Sequence, residues 1–81
     1  MRIKTRNRIA INLYKMANQN QFRPSVTIEG VTPSILMVAL KRINFIEQVG
    51  VGQYRLTASV NDRNINKAYK VYSSIIAEYN S

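Results

Sequence analysis

The side chains able to do chemistry in this sequence are almost all cations. There is no His and no Cys, and Glu29, Glu47, Asp62 and Glu78 stand far apart, with none of the spacings that hold a metal or pair an acid with a base. Gly50 and Gly52 are not followed by the Gly-Lys-Ser/Thr of a phosphate loop. The chain is therefore not expected to be an enzyme, and no cofactor and no metal are expected. Twelve Lys and Arg against four acids give a formal net charge of +8. Such an excess suits a polyanion, because it attracts phosphates at long range and releases their counterions on contact. Nucleic acid is the first candidate partner and an acidic membrane surface the second.

Several groups of residues could make those contacts. Arg2, Lys4, Arg6 and Arg8 alternate along residues 1–8, which read as a basic arm that follows a phosphate backbone or enters a minor groove. Lys41 and Arg42 come together farther along, then Gln53 and Arg55, then Asn61 and Arg63.

The stretch from Thr32 to Thr57 must position most of them. Thr32 offers a hydroxyl to the first free amides of a helix, and Pro33 suits its first turn. Leu36, Leu40 and Ile43, with Ala39 between them, recur at helical spacing, and Lys41 and Arg42 fall near the far end. From Ile46 the period changes to two. Val49-Gly50-Val51-Gly52 supplies positive-φ residues for a hairpin turn, after which Tyr54 and Leu56 point in while Gln53, Arg55 and Thr57 point out.

Before this stretch, Asn7 can cap a helix running to about Asn20, with Ile9, Leu13, Met16 and Ala17 on one face. Residues 25–30 fit either a short strand through Val26-Thr27-Ile28, bracing the hairpin, or an abbreviated helix ending at Gly30. After it, Asn61 or Asp62 can cap a long last helix over residues 61–79. Ile65, Tyr69, Tyr72, Ile76 and Tyr79 form a heptad-like seam on that helix, with Ala68, Val71 and Ile75 as a second apolar edge. The seam is expected to join two subunits, since tyrosines bury area yet keep a polar tip. The competing reading gives the whole helix to the core of one chain. Eighty-one residues without Cys make a single small domain with a modest core, to which association would add stability. The longest apolar run, Ile35 to Leu40, is too short to span a bilayer, and the basic N-terminus leads into no signal-peptide core. A cytoplasmic protein with no membrane partner is expected.

The succession V-T-P-S, A-L-K-R-I, F-I-E-Q-V-G and G-Q-Y-R-L-T resembles the second half of a winged helix-turn-helix domain, over roughly a third of the chain. The resemblance implies an α+β fold: helices, a small antiparallel β-hairpin wing and a long C-terminal helix. It also implies a recognition helix starting at Pro33, whose base-facing positions match Ser34, Ile35, Met37 and Val38. Only Ser34 among these can hydrogen-bond a base edge through its side chain, a departure that shifts discrimination toward the wing and arm.

The expected function is site-specific binding of double-stranded, A·T-rich DNA by a homodimer. Arg6, Arg8, Ser34, Met37, Lys41, Arg42, Gln53, Arg55, Asn61 and Arg63 are the candidate contacts. Transcriptional repression fits, as does accessory work in plasmid or phage DNA processing within a larger nucleoprotein complex; small winged-helix proteins that bind a transfer origin in conjugation look similar. Two alternatives compete. One is a protein-interaction module docking through Ile35, Met37 and Val38; the other is an RNA-binding module, disfavoured by the lack of a paired-aromatic stacking platform.

Overall fold

A helix able to bury Ile9, Leu13 and Met16 must also present whatever precedes them, and here it does so from its first turns. The computed structural model describes residues 3–23 and 31–80, in which α1 spans Ile3–Ala17. The basic residues at 4, 6 and 8 are thus part of a helix and not an extended arm, and Asn7 is an interior residue and not a cap. Lys and Arg are good helix formers because their unbranched side chains lose little freedom there. Arg6 then anchors the first turns to the last helix, donating from Nε to Asn66 Oδ1 at 2.6 Å and lying 3.5 Å from the Asp62 carboxylate. The helix ends at Ala17, earlier than Asn20, and Ala17 is exposed. Asn12 takes a buried place instead, donating from Nδ2 to the Arg8 carbonyl at 2.8 Å.

Phe22 follows a polar stretch and is 2% exposed. Its backbone exchanges two hydrogen bonds with Tyr54, at 2.8 and 2.9 Å, as an isolated antiparallel bridge, with the two rings tilted and their centroids 6.3 Å apart. The hairpin is therefore braced at Phe22. The strand-or-helix alternative for residues 25–30 lies outside the described residues.

The second helix, α2, spans Pro33–Arg42. Thr32 sits at its N-cap in extended conformation, and its carbonyl accepts the Leu36 N–H at 3.0 Å. Its hydroxyl makes no capping bond, contrary to the sequence expectation. The Thr32 amide instead donates to Tyr72 Oη at 3.1 Å, which ties the start of α2 to the last helix. Leu36, Met37, Ala39 and Leu40 are buried, with Ile43 half-buried.

The helix stops through a left-handed cap. Asn44 has φ 56°, its N–H donates to the Lys41 carbonyl, and the Phe45 N–H reaches back to the Leu40 carbonyl at 2.9 Å. These are the two bonds of a Schellman motif, with Asn in the place usually held by Gly. The reversal aims Phe45 and Ile46 into the core and starts β1, Ile46–Gly50, which pairs antiparallel with β2, Gln53–Leu56. Ile46 faces Leu56, Glu47 faces Arg55, Gln48 faces Tyr54 and Gly50 faces Gln53, with an irregularity at Val49. Only Ile46 of β1 is buried, so the expected alternation fails along the rest of that strand, where the hairpin projects past the core. Of the two hairpin glycines, Gly50 and Gly52, only Gly52 has positive φ, at 69°.

Helix α3 spans Asp62–Asn80 and is capped by Asn61, whose Oδ1 accepts the Asn64 N–H at 2.9 Å. Its buried stripe is Ile65, Ala68, Tyr72 and Ile75. Ile65 and Tyr72 consequently belong to the core of one chain and not to a seam between two. The helix is rotated so that the mixed edge 65/68/72/75 faces inward. Tyr69 and Ile76 are left half-buried against it and Tyr79 is 75% exposed. The fold is α+β: three helices and a two-stranded hairpin among the described residues, with α3 packed on both α1 and α2. No helix among the described residues is long and apolar enough to cross a membrane.

Gly52→Ala should cost about 1 kcal/mol, because an L side chain is strained at that φ even though open space surrounds it. Gly50→Ala should be nearly neutral, since the added methyl meets only Gln53 Cβ at 3.9 Å. Urea denaturation of the two variants gives the comparison. Tyr72→Phe removes the hydroxyl that accepts the Thr32 amide. It should cost about 1 kcal/mol, or roughly 4–8 °C in Tm for a domain of this size, read by thermal unfolding.

Candidate nucleic-acid interface

Helix α2 buries one side and offers the other. Ser34, Val38 and Lys41 follow one another at spacings of four and three, and all are exposed; Arg42 is exposed beside them and Ile35 half-buried. Lys41 and Arg42 fall in the last turn, where cations interact favourably with the negative end of the helix dipole. The Lys41 ammonium also lies 5.3 Å from the centre of the Tyr54 ring, a cation–π contact that joins the end of α2 to β2.

On the hairpin, Arg55 and Glu47 are directly opposed across the two strands. Arg55 Nε donates to Glu47 Oε1, and both side chains remain largely in solvent. Gln53 is half-buried, whereas Val49 and Val51 are exposed near the turn. Between α2 and α3 runs a groove of about 310 Å³, lined by Ser34, Ile35, Val38 and Arg42 on one side and Ile75, Glu78 and Tyr79 on the other.

The candidate residues named from sequence divide accordingly. Ser34, Lys41 and Arg42 share the outer side of α2, and Gln53 and Arg55 lie on the hairpin that Lys41 touches. Met37 is 5% exposed and belongs to the core, so it cannot meet a base edge. It directly follows Leu36 on the inward side, where an unbranched thioether fills space between helices. The apolar face proposed from Ile35, Met37 and Val38 is broken for the same reason. Arg6 is engaged with Asn66 and Asp62, and Arg8 is half-buried on α1. Asn61 is occupied in capping α3, while Arg63 is exposed in the first turn of that helix.

Sequence reasoning took Lys4 only as part of an extended arm and passed over Lys15 on α1 and Lys67 and Lys70 on α3; all four are exposed. Their signal was legible: 4, 8, 11 and 15 repeat at four, three and four, and 63, 67 and 70 at four and three. No group of His, Cys, Asp or Glu among the described residues could hold a metal ion. No family model, curated protein or solved structure matches this chain.

Because the Arg55–Glu47 pair is solvent-exposed, Glu47→Gln should change stability by less than about 1 kcal/mol. The same substitution frees Arg55 and removes one negative charge, so the salt needed to elute the protein from heparin should rise. Urea denaturation and heparin chromatography on the one variant test both halves.

Proposed function

We propose that this chain is a winged-helix protein that binds double-stranded DNA site-specifically, with α2 as recognition helix and the hairpin as wing. The observation that carries the reading is the joint exposure of Ser34, Lys41 and Arg42 on α2 and Arg55 on the adjoining hairpin, held together by the Lys41–Tyr54 contact. The element order supports it, because α2 leads directly through the Asn44 cap into the hairpin and α3 closes the chain. The excess of +8 supplies the general attraction to phosphate.

Within this reading the two parts of the surface have different tasks. Lys41 and Arg42 neutralise phosphates, which positions the protein without reading sequence. Val38 offers only an apolar contact of the kind a thymine methyl accepts, and Ser34 one short hydroxyl. Discrimination therefore falls mainly to Arg55, which can exchange its exposed partner Glu47 for a groove edge at little cost. The protein acts as a homodimer in a repressor or a plasmid or phage DNA-processing accessory. With Ile65 and Tyr72 in the core, Tyr79 and the half-buried Tyr69 and Ile76 remain for its interface. A second reading is favoured by the α2–α3 groove, where Ile35, Val38, Ile75 and Tyr79 could seat an apolar segment of a protein partner.

Salt separates the two. If the α2–hairpin surfaces of a dimer contact roughly six phosphates, log K for duplex DNA should fall with log salt at a slope of about −5 or steeper. Arg55→Ala should weaken binding to the preferred site, recovered from a random duplex pool, more than to random duplex. Lys41→Ala and Arg42→Ala should weaken both alike, flattening the slope by about one unit each per subunit. A slope near zero, or partner binding that survives high salt, would favour the groove.

A further inference from the structure

The cations are distributed in a way that the α2–hairpin surface does not account for. Residues 33–56 carry Lys41, Arg42 and Arg55 against Glu47, a formal sum of +2. Helix α1 alone carries Lys4, Arg6, Arg8 and Lys15 and no acid, a formal sum of +4 in 15 residues. Three of those four lie on one line with Ile11, at positions 4, 8, 11 and 15. Lys4, Ile11 and Lys15 are exposed and Arg8 half-buried, while Tyr14 alongside is 51% exposed.

Arg6 marks the flank of α1 that meets α3. Arg8 follows it by two residues, about 200° around the helix, so the line faces away from α3. Among the described residues, Lys4 and Arg8 have no acidic partner. Lys4 also stands in the first turn, against the positive end of the helix dipole, and that turn carries no acid of its own. A face shaped for stability alone would place Asp or Glu there. This one gathers positive charge that no acid meets among the described residues, which suits an anion.

We propose that the outer face of α1, through Lys4, Arg8 and Lys15 with Tyr14 beside them, is a second phosphate-binding surface that engages the backbone of duplex DNA. The proposal rests on the DNA-binding reading and extends it to a helix outside the recognition surface. The line from Lys4 to Lys15 rises roughly 16 Å along the helix axis. Successive phosphates follow one another along each strand of a duplex, so a line of this length laid against a backbone can meet more than one of them. Tyr14 can donate its hydroxyl to a phosphate oxygen at the edge of the line. A duplex suits this face better than an anionic bilayer, because the apolar stripe of α1, Ile9, Leu13 and Met16, is committed to the core. Among the α1 side chains whose exposure is described, Ile11 and Tyr14 are the large apolar ones left to enter lipid, where an interfacial helix needs a broad apolar side.

The test compares two charge-matched variants of the full chain, Lys4→Gln with Lys15→Gln and Lys67→Gln with Lys70→Gln, by duplex-DNA titration between roughly 50 and 200 mM salt. All four positions are exposed, so both variants keep the fold, which circular dichroism checks. The α1 pair should flatten the salt slope by about two units per subunit, or roughly four for a dimer, and leave the ratio of specific to random affinity unchanged; the α3 pair should flatten it by less than about half a unit per subunit. Equal flattening by the two pairs would mean that only net charge matters, and would overturn the proposal. An unchanged slope for the α1 pair, with the wild type still binding in a salt-dependent way, would overturn it while leaving the DNA reading intact. A wild-type slope near zero would remove both. Loss of binding to phosphatidylglycerol vesicles by the α1 pair, without any change on duplex, would reassign the face to a membrane surface.

Discussion

Helix α3 has to satisfy two neighbours with one stripe. Ile65, Ala68, Tyr72 and Ile75 are the residues of α3 that reach the core, and α1 and α2 both pack on that helix. With no Cys to staple it, the chain depends on this shared burial for most of its cohesion. Tyr72 adds a directional term, since its hydroxyl accepts the amide of Thr32 and so fixes where α2 begins. A helix held at its first residue and along its buried side has little freedom to rotate, which determines which α2 residues face outward. Met37 is lost to the interior and Val38 gained for the surface by that one rotation.

The hairpin is positioned by backbone geometry more than by burial. The left-handed Asn44 turns the chain at the end of α2, and Phe22 exchanges two hydrogen bonds with Tyr54 on the far strand. Lys41 over the Tyr54 ring is the third point of attachment. A two-stranded hairpin alone is marginal in water. Here the turn from α2, the bridge from the α1 side and the cation from α2 fix its base, leaving Glu47 to Val51 exposed.

Much of this was legible in the sequence because it depends on local period and local stereochemistry. Pro33, the stripe of Leu36 and Leu40, the glycine at the hairpin turn and Asn61 before the last helix each carry a local signal. What was not legible depends on contacts distant in sequence. Ile3 to Arg8 alternates like an arm, yet it is helical and is held by Arg6 to Asn66, 60 residues away. Ile65, Tyr72 and Tyr79 share a seven-residue spacing, but the packing of α3 on two helices buries the first two and leaves the third in solvent. Phe22 carries no periodic signal, and its partner Tyr54 stands on another element. Among the candidate site residues of α2, Ser34, Lys41 and Arg42 were left exposed by the helix period. Met37 was not, because inward and outward positions adjoin at that point of α2 and only its neighbours decide between them.

The charge pattern then has a physical logic under the proposed function. A chain with so small a core cannot bury ion pairs, because desolvation would outweigh their attraction. Its polar recognition must stay at the surface, where each pair is weak and exchangeable in water. Arg55 is held by Glu47 in that manner, close enough to be ordered and exposed enough to leave. The pairing also limits non-specific attraction, since Glu47 cancels the charge of Arg55 until a groove edge replaces it. Lys41 and Arg42 have no such partner among the described salt bridges and, in that reading, would act on any phosphate within reach. Selective and unselective cations thus stand side by side, separated by whether an acid lies across the strand. That separation requires the register in which Glu47 faces Arg55, and the Gly50–Gln53 closure of the hairpin sets it. A slip by one residue would turn Arg55 to the other side of the sheet, bring Tyr54 out of its contact with Lys41, and remove the distinction between the two kinds of charge.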